Sequence, residues 1–343
     1  MTDRLPYGFA FPGTPSTHLF KYPDLGLAII NGFAAEQRGT PGVNVAVFVD
    51  PERTAAPEIS AAAKLLPARR IFVRGYSGAG ANVTDISEMV ELFPYDLLLI
   101  ATHCGDAPGY RWTYEFTDSE GINRTLVVDV AIGLGHTEQD DFVHVTQIYA
   151  IRSLDGIAWN DPNLEQKLHV GTAIRDFFER TRSEYDLKPV KQENIARVVG
   201  SAALAMHDDN FIALPRSLAS EGTPIIINNA CASWHRLAET FTFGNARAYV
   251  GTLFPVSTTE AHDVIVALVD KQFGKPLPTA LWTAQRRVYG DTIRRPYVMT
   301  GVYPQYLRTT RRDVPQDVAH KLASGLSAWR KNCKMSVPRT KRR

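Results

Sequence analysis

Five short, unbroken apolar runs most constrain what this chain folds into. They are "GVNVAVFVD" (42–50), "RRIFVRG" (69–75), "YDLLLIATHCG" (95–105), "PIIINNACAS" (224–233) and "ARAYVGTLFPVS" (246–257). Each has an apolar stretch without polar alternation, the pattern of strands covered on both faces. Helical patterns lie between them: an alanine-rich stretch at 54–66, spaced apolar positions at 83–93, and "STTEAHDVIVALVDKQFG". In the last, Ser257 and Glu260 have capping-box spacing and Ala261, Val264, Ile265 and Leu268 share a face. Gly274 stands where a C-terminal cap is expected. Strands alternating with helices predict an α/β fold, three-layered, with a mostly parallel central sheet.

Two segments interrupt that rhythm. "RWTYEFTDSEGINRTLVVDV" (111–130) reads as a hairpin around a polar turn. Residues 137–222 read as an insertion with a strand at 143–150 and two helices. One of these helices starts at Asp161–Pro162. The other is striped by Ile195, Val198, Val199, Ala202, Ala203 and Met206. Residues 1–42 are rich in Gly and Pro and read as an N-terminal extension. Residues 307–343 form a tail whose basic end, "PRTKRR", reads as a solvated terminus rather than a binding arm.

Composition excludes some partners. With 44% hydrophobic residues, 22% charged residues and a formal charge of +2, the chain has material for a sizeable core. It lacks the charge imbalance that favours direct nucleic-acid binding. No run reaches the roughly 18 apolar residues that cross a bilayer, so no membrane partner is expected. No secretory leader is visible, and Cys104, Cys231 and Cys333 are too few for a disulfide framework; a reducing cytoplasm is the expected compartment.

In open parallel sheets, reactive groups gather at the carboxyl ends of strands. Two such ends carry chemistry: "IATHCGD" delivers His103, Cys104 and Gly105, and "INNACAS" delivers Cys231. A thiol needs a neighbouring base to become a thiolate at neutral pH, and imidazole suits that task. If the two strands are parallel neighbours, both residues point to the same end. The plainer alternatives are a buried core thiol and a histidine that satisfies backbone groups. A zinc site from His103, Cys104, Cys231 and His235 is a further alternative, weakened because adjacent strand residues face opposite ways. The glycine-rich "GYSGAG" (75–80) lacks the lysine of a phosphate loop and reads as a plain loop. No metal or other cofactor is expected.

At these residues the sequence resembles the CHAT peptidases, caspase-like cysteine proteases related to separases. The resemblance rests on "LLLIATHCG", then "IINNACAS", then "GNARAYVGTLFPVSTTEAHDVIVALVDKQFGKPLPTALWTAQRRV" (244–288). It spans about residues 43–290, within an expected peptidase domain at 43–306, and the insertion matches poorly. It implies a caspase-like fold, with Cys231 as nucleophile and His103 as general base and acid. It also implies oxyanion donors on the main chain at Cys104 or Gly105 together with Cys231. Two departures stand out. Cys104 follows the histidine where the family has glycine. Asn229, two before the cysteine, is neutral where Arg- and Lys-specific relatives are acidic. Asn229 is the first candidate for the specificity pocket; Asp106, Glu115 and Asp118 are candidate charges from nearby loops, against the plainer expectation of a solvated face.

The function so implied is a cysteine endopeptidase that cuts a partner protein, as an effector in bacterial defence or cell death, held in check by a regulatory protein. The insertion and the tail are the expected docking places for such a partner. A non-catalytic scaffold and a small nucleotide-binding signalling module are the rival classes.

Overall fold

The computed structural model describes residues 11–19, 26, 30, 32–33, 42–135, 144–182, 187–212, 217–220, 222–309 and parts of 319–327. Cys333, His136 and the basic end of the tail lie outside the described residues. In chain order the first elements are β1 (Val45–Asp50), α1 (Pro57–Ala68), β2 (Phe72–Ser77), α2 (Val83–Leu92) and β3 (Leu97–Ile100). Next come β4 (Gly109–Thr117), β5 (Asn123–Gly135), β6 (His144–Leu154), β7 (Ile157–Ala158), α3 (Leu164–Lys167), α4 (Ala173–Arg182) and β8 (Lys191–Ile195). The chain then forms β9 (Ile225–Asn228), α5 (His235–Phe243), β10 (Ala248–Thr252), α6 (Thr258–Val269), α7 (Leu277–Tyr289) and β11 (Tyr297–Gly301).

These elements fall into two compact units. The first comprises Met1–Cys104, Ala205–Asp209 and Ala213–Arg343; the second comprises Gly105–Leu204 and Asn210–Ile212.

The first unit holds a six-stranded sheet in the order β11-β10-β9-β3-β1-β2. All neighbours are parallel except β10 and β11. The five apolar runs supply the five parallel strands. Burial explains why they do not alternate: Ala46 and Phe48 of β1, Leu97 and Leu99 of β3, and Ile225 and Ile227 of β9 pack with Leu66, Val264, Leu268 and Leu281 from α1, α6 and α7. The intervening Val47, Leu98, Ile226 and Tyr249 are equally buried, and Phe241 of α5 stacks on Tyr249 at 5.6 Å. Helices therefore cover both faces of a mixed α/β structure with a largely parallel central sheet.

The second unit is a five-stranded antiparallel sheet in the order β7-β6-β5-β4-β8. Its β4–β5 hairpin is the one expected at 111–130, turned through Gly121 at φ 79°. Aromatic residues fill its core, with Tyr114 edge-on to Phe177 at 4.9 Å.

Three local expectations are corrected. The apolar stripe at 195–206 is not a helix. Ile195 ends β8 opposite Gly109, Gly200 and Ala202 take φ of 82° and 49°, and Ala203–Ala205 is a short strand. Glycine inside the stripe breaks the helix, and Val199 is 54% exposed where the stripe required burial. The helix expected from Asp161 starts at Leu164 instead, because Asp161 accepts the Asn163 N–H in a turn. The capping box at Ser257 is present, but α6 ends at Val269, and Gly274 bends the following turn at φ 89°. The sequence reading passed over β11, whose "YVMTG" is a short β-branched and aromatic run.

Candidate active site

The site is built by register. Strands β3 and β9 are adjacent and parallel, pairing Leu97 with Ile225 through Ile100 with Asn228. The offset is constant, 225 − 97 = 128, and the Asn229 N–H extends the ladder to the Ile100 carbonyl at 2.8 Å. His103 and Cys231 are separated by the same offset, 231 − 103 = 128. Each stands three residues past the last paired residue of its strand, at the same carboxyl edge.

The turn that carries Cys231 is tied down on every side. Thr252 Oγ1 donates to the Ala230 carbonyl at 2.8 Å, and Ser233 Oγ donates to the Asn228 carbonyl at 3.0 Å. The Thr252 N–H donates to Ser233 Oγ at 3.1 Å, and the Tyr249 hydroxyl to the Ser233 carbonyl at 2.7 Å. Ala232 takes φ 51°, which turns the chain away from the strand. Trp234, fully buried, anchors the far side through Nε1 to Thr300 Oγ1 at 3.0 Å. Gly251 is required beneath it, because a Cβ there would sit 2.9 Å from Trp234 Cα. So the "TLFPV" block acts on the Cys231 turn directly. Its Thr252 grips the turn, and its Val256 carbonyl receives the Cys231 thiol at 3.7 Å.

Cys231 is half-buried and His103 is exposed. The His103 carbonyl accepts from the Ala205 N–H at 2.9 Å, which pins its backbone. Among the described residues no hydrogen bond joins the two side chains, and the Cys231 N–H donates to no protein acceptor. Cys104 is a half-buried free thiol. Burial holds the Tyr249 hydroxyl far above its ordinary range, with the Cys104 thiol the next contributor. Gly105 opens the second unit and is exposed; a Cβ there would meet nothing within 4 Å.

The specificity candidates separate. Asp106, Glu115 and Asp118 belong to the second unit. Asp106 accepts from the Gly200 N–H at 2.8 Å and pairs with Arg197. Glu115 is exposed on β4 opposite Thr125, in a strand rather than a loop. Asp118 is no solvated loop acid: it is buried and ion-paired to Arg124 at 2.7 Å. Asn229 is 6% exposed and faces the α1 side of the sheet, as alternation from Ile225 and Ile227 requires. Its Nδ2 donates to Glu58 Oε1 at 2.7 Å, and the Tyr297 hydroxyl donates to its Oδ1. Glu58 escaped the sequence reading, because it stands in an alanine-rich helix 171 residues from its partner.

Among the described residues no three His, Cys, Asp or Glu side chains gather as a metal site, and the side chain of His235 lies outside them. A small cleft framed by His18, Trp282, Arg295 and Tyr297 contains neither His103 nor Cys231. No helix among the described residues is long and apolar enough to cross a membrane. No known family model matches the chain, and no curated protein is similar to it in sequence.

Proposed function

We propose that the chain is a caspase-like cysteine endopeptidase of the CHAT type, with Cys231 as nucleophile and His103 as general base and acid. The observation that carries this reading is the shared offset of 128 between the β3–β9 register and the His103–Cys231 pair. The sequence resemblance at 244–288 supports it, since that block grips the nucleophile turn.

The chemistry follows from the groups present. His103 takes the proton of the Cys231 thiol, and the thiolate adds to a peptide carbonyl carbon. The oxyanion is met by the Cys231 N–H and a main-chain donor at Cys104 or Gly105. The C–N bond breaks as His103 returns its proton to the leaving amine, which leaves an acyl-thioester. Water, deprotonated by His103, then attacks the thioester and releases the acid. In the resting arrangement the thiol points to the Val256 carbonyl, so it turns toward His103 for the first step; free enzymes often hold such bonds long. A regulatory protein that shifts the 253–257 loop would release it, in keeping with a protease of bacterial defence or cell death acting on a partner protein.

The test is thiol reactivity joined to cleavage. Iodoacetamide at neutral pH is expected to label Cys231 before Cys104, and His103→Ala is expected to slow that labelling tenfold or more. Co-expression with neighbouring gene products is expected to yield a cut that Cys231→Ala abolishes. A cut that persists in that variant would end the assignment.

A further inference from the structure

Glu58 is an unusual carboxylate. It lies in the first turn of α1, only 3% exposed, among apolar neighbours such as Ala62 and Leu66. One oxygen, Oε1, accepts from Asn229 Nδ2; the other, Oε2, is buried without a hydrogen-bond partner. No Lys or Arg among the described residues pairs with it. Burial raises the Glu58 pKa; the residue's own main-chain N–H and the Asn229 amide oppose that rise, and Asp50, at the end of β1, adds a smaller push upward. The imidazole of His262 on α6 acts against that rise, and its Nδ1 is buried without a hydrogen-bond partner. A buried carboxylate with an unsatisfied oxygen and no Lys or Arg partner among the described residues is costly, and native folds rarely keep one for packing alone.

Its position gives it a use. Asn229 is two residues before Cys231, and its amide is held in one orientation by Tyr297 on one side and Glu58 on the other. The Tyr297 hydroxyl is in turn within the electrostatic reach of the Cys231 thiol. An N–H donor of Asn229 thus occupies the place beside Glu58 that a guanidinium or ammonium would take. The arrangement also explains why residue 229 is an amide: an aspartate there would set two carboxylates against each other at 2.7 Å separation.

We propose that Glu58 carries the negative charge of a subsite beside Cys231, and that this subsite takes the arginine or lysine side chain next to the bond that is cut. The cation displaces the Asn229 amide from Glu58 and pairs with both carboxylate oxygens. This inference rests on the cysteine-peptidase reading of the site.

Two peptidyl chloromethyl ketones, one ending in arginine and one in leucine, test it on the full chain, with alkylation of Cys231 and Cys104 followed by mass spectrometry. The arginine reagent is expected to label Cys231 about tenfold faster or more than the leucine reagent. Glu58→Gln keeps the hydrogen bond to Asn229 and is expected to slow only the arginine reagent, by about that factor. The charge swap Glu58→Gln with Asn229→Asp is expected to restore the preference at least in part, which a merely structural Glu58 would not do. Equal labelling of the wild type by both reagents, or a preference that survives Glu58→Gln, overturns the Glu58 subsite and leaves the dyad standing. Labelling of Cys231 no faster than Cys104 by either reagent, or by iodoacetamide, overturns both.

Discussion

The two units treat buried charge in opposite ways. In the antiparallel unit every buried acid named above is paired. Asp118 and Arg124 are 0% and 2% exposed at 2.7 Å, Arg124 also holds Asp155, and Asp129 is shared by Arg111 and Arg152. Burial opposes ionisation of Asp118, yet the Ile122 and Glu120 N–H groups and Arg124 keep its carboxyl below the usual range. In the parallel unit Glu58 is equally buried and pairs with no Lys or Arg among the described residues. The difference teaches which charge is structural. A fully satisfied network rigidifies its unit, whereas a half-satisfied buried carboxylate is the kind of group that functional sites keep.

The largest expected effect breaks the paired side of this comparison. Arg124→Met leaves Asp118 and Asp155 without their cation and is expected to abolish the cooperative unfolding of the second unit in calorimetry. Iodoacetamide labelling of Cys231 should change little, because the turn that holds it is tied within the first unit. Loss of Cys231 labelling in that variant would show the two units to be energetically inseparable. Next in size, Trp234→Ala removes a fully buried ring and its bond to Thr300. It is expected to cost about 3–5 kcal/mol and to loosen the Cys231 turn, read by denaturant unfolding and by a faster labelling rate.

The unpaired side is probed by Glu58→Gln. A carboxyl whose folded pKa is raised binds its proton more tightly when folded, so its ionisation costs stability. That cost is absent below the ordinary value of 4.5 and complete above the folded pKa. The glutamine variant should therefore gain stability relative to wild type as pH rises through that window, by no more than about 1–2 kcal/mol. Thermal unfolding at pH 4 and pH 8 checks it; a variant less stable at pH 8 would mean that Glu58 is structurally paired after all. The smallest effect concerns Glu260, the parallel unit's half-buried and paired acid. It accepts from the Ser257 N–H at 2.8 Å and pairs with Arg294 at 3.0 Å. Ser257→Ala removes one arm of that capping box and is expected to cost about 0.5–1 kcal/mol in chemical denaturation.

Much of the fold was legible. Four of the five apolar runs are strands buried on both faces, which have no polar positions to hide; the fifth, β2, corrects that expectation, since it lies at the sheet edge with Arg74, Gly75 and Ser77 exposed. The capping box at Ser257 and Glu260 was legible because it is local. The false helix at 195–206 shows the limit of periodicity: the stripe had helical spacing, but Gly200 and the pairing of Ile195 with Gly109 outweighed it. Within the site, His103 and Cys231 were visible as reactive residues at strand ends. Their common level was visible only as a conditional, since it required the two strands to be neighbours.

The sequence by itself determined a sheet rich in parallel strands, the residues at its carboxyl edge, and where the thiol and the imidazole stand along the chain. These follow from side-chain period, capping and strand length, all of which act over a few residues. Only the tertiary structure decided that β3 and β9 are adjacent, with a register offset of 128 that equals the separation of His103 and Cys231 in the chain. Only it brought Glu58 under Asn229, from 171 residues away. Adjacency in a sheet is set by how helices pack on both its faces, and no local pattern encodes which buried carboxylate that packing will leave against Asn229.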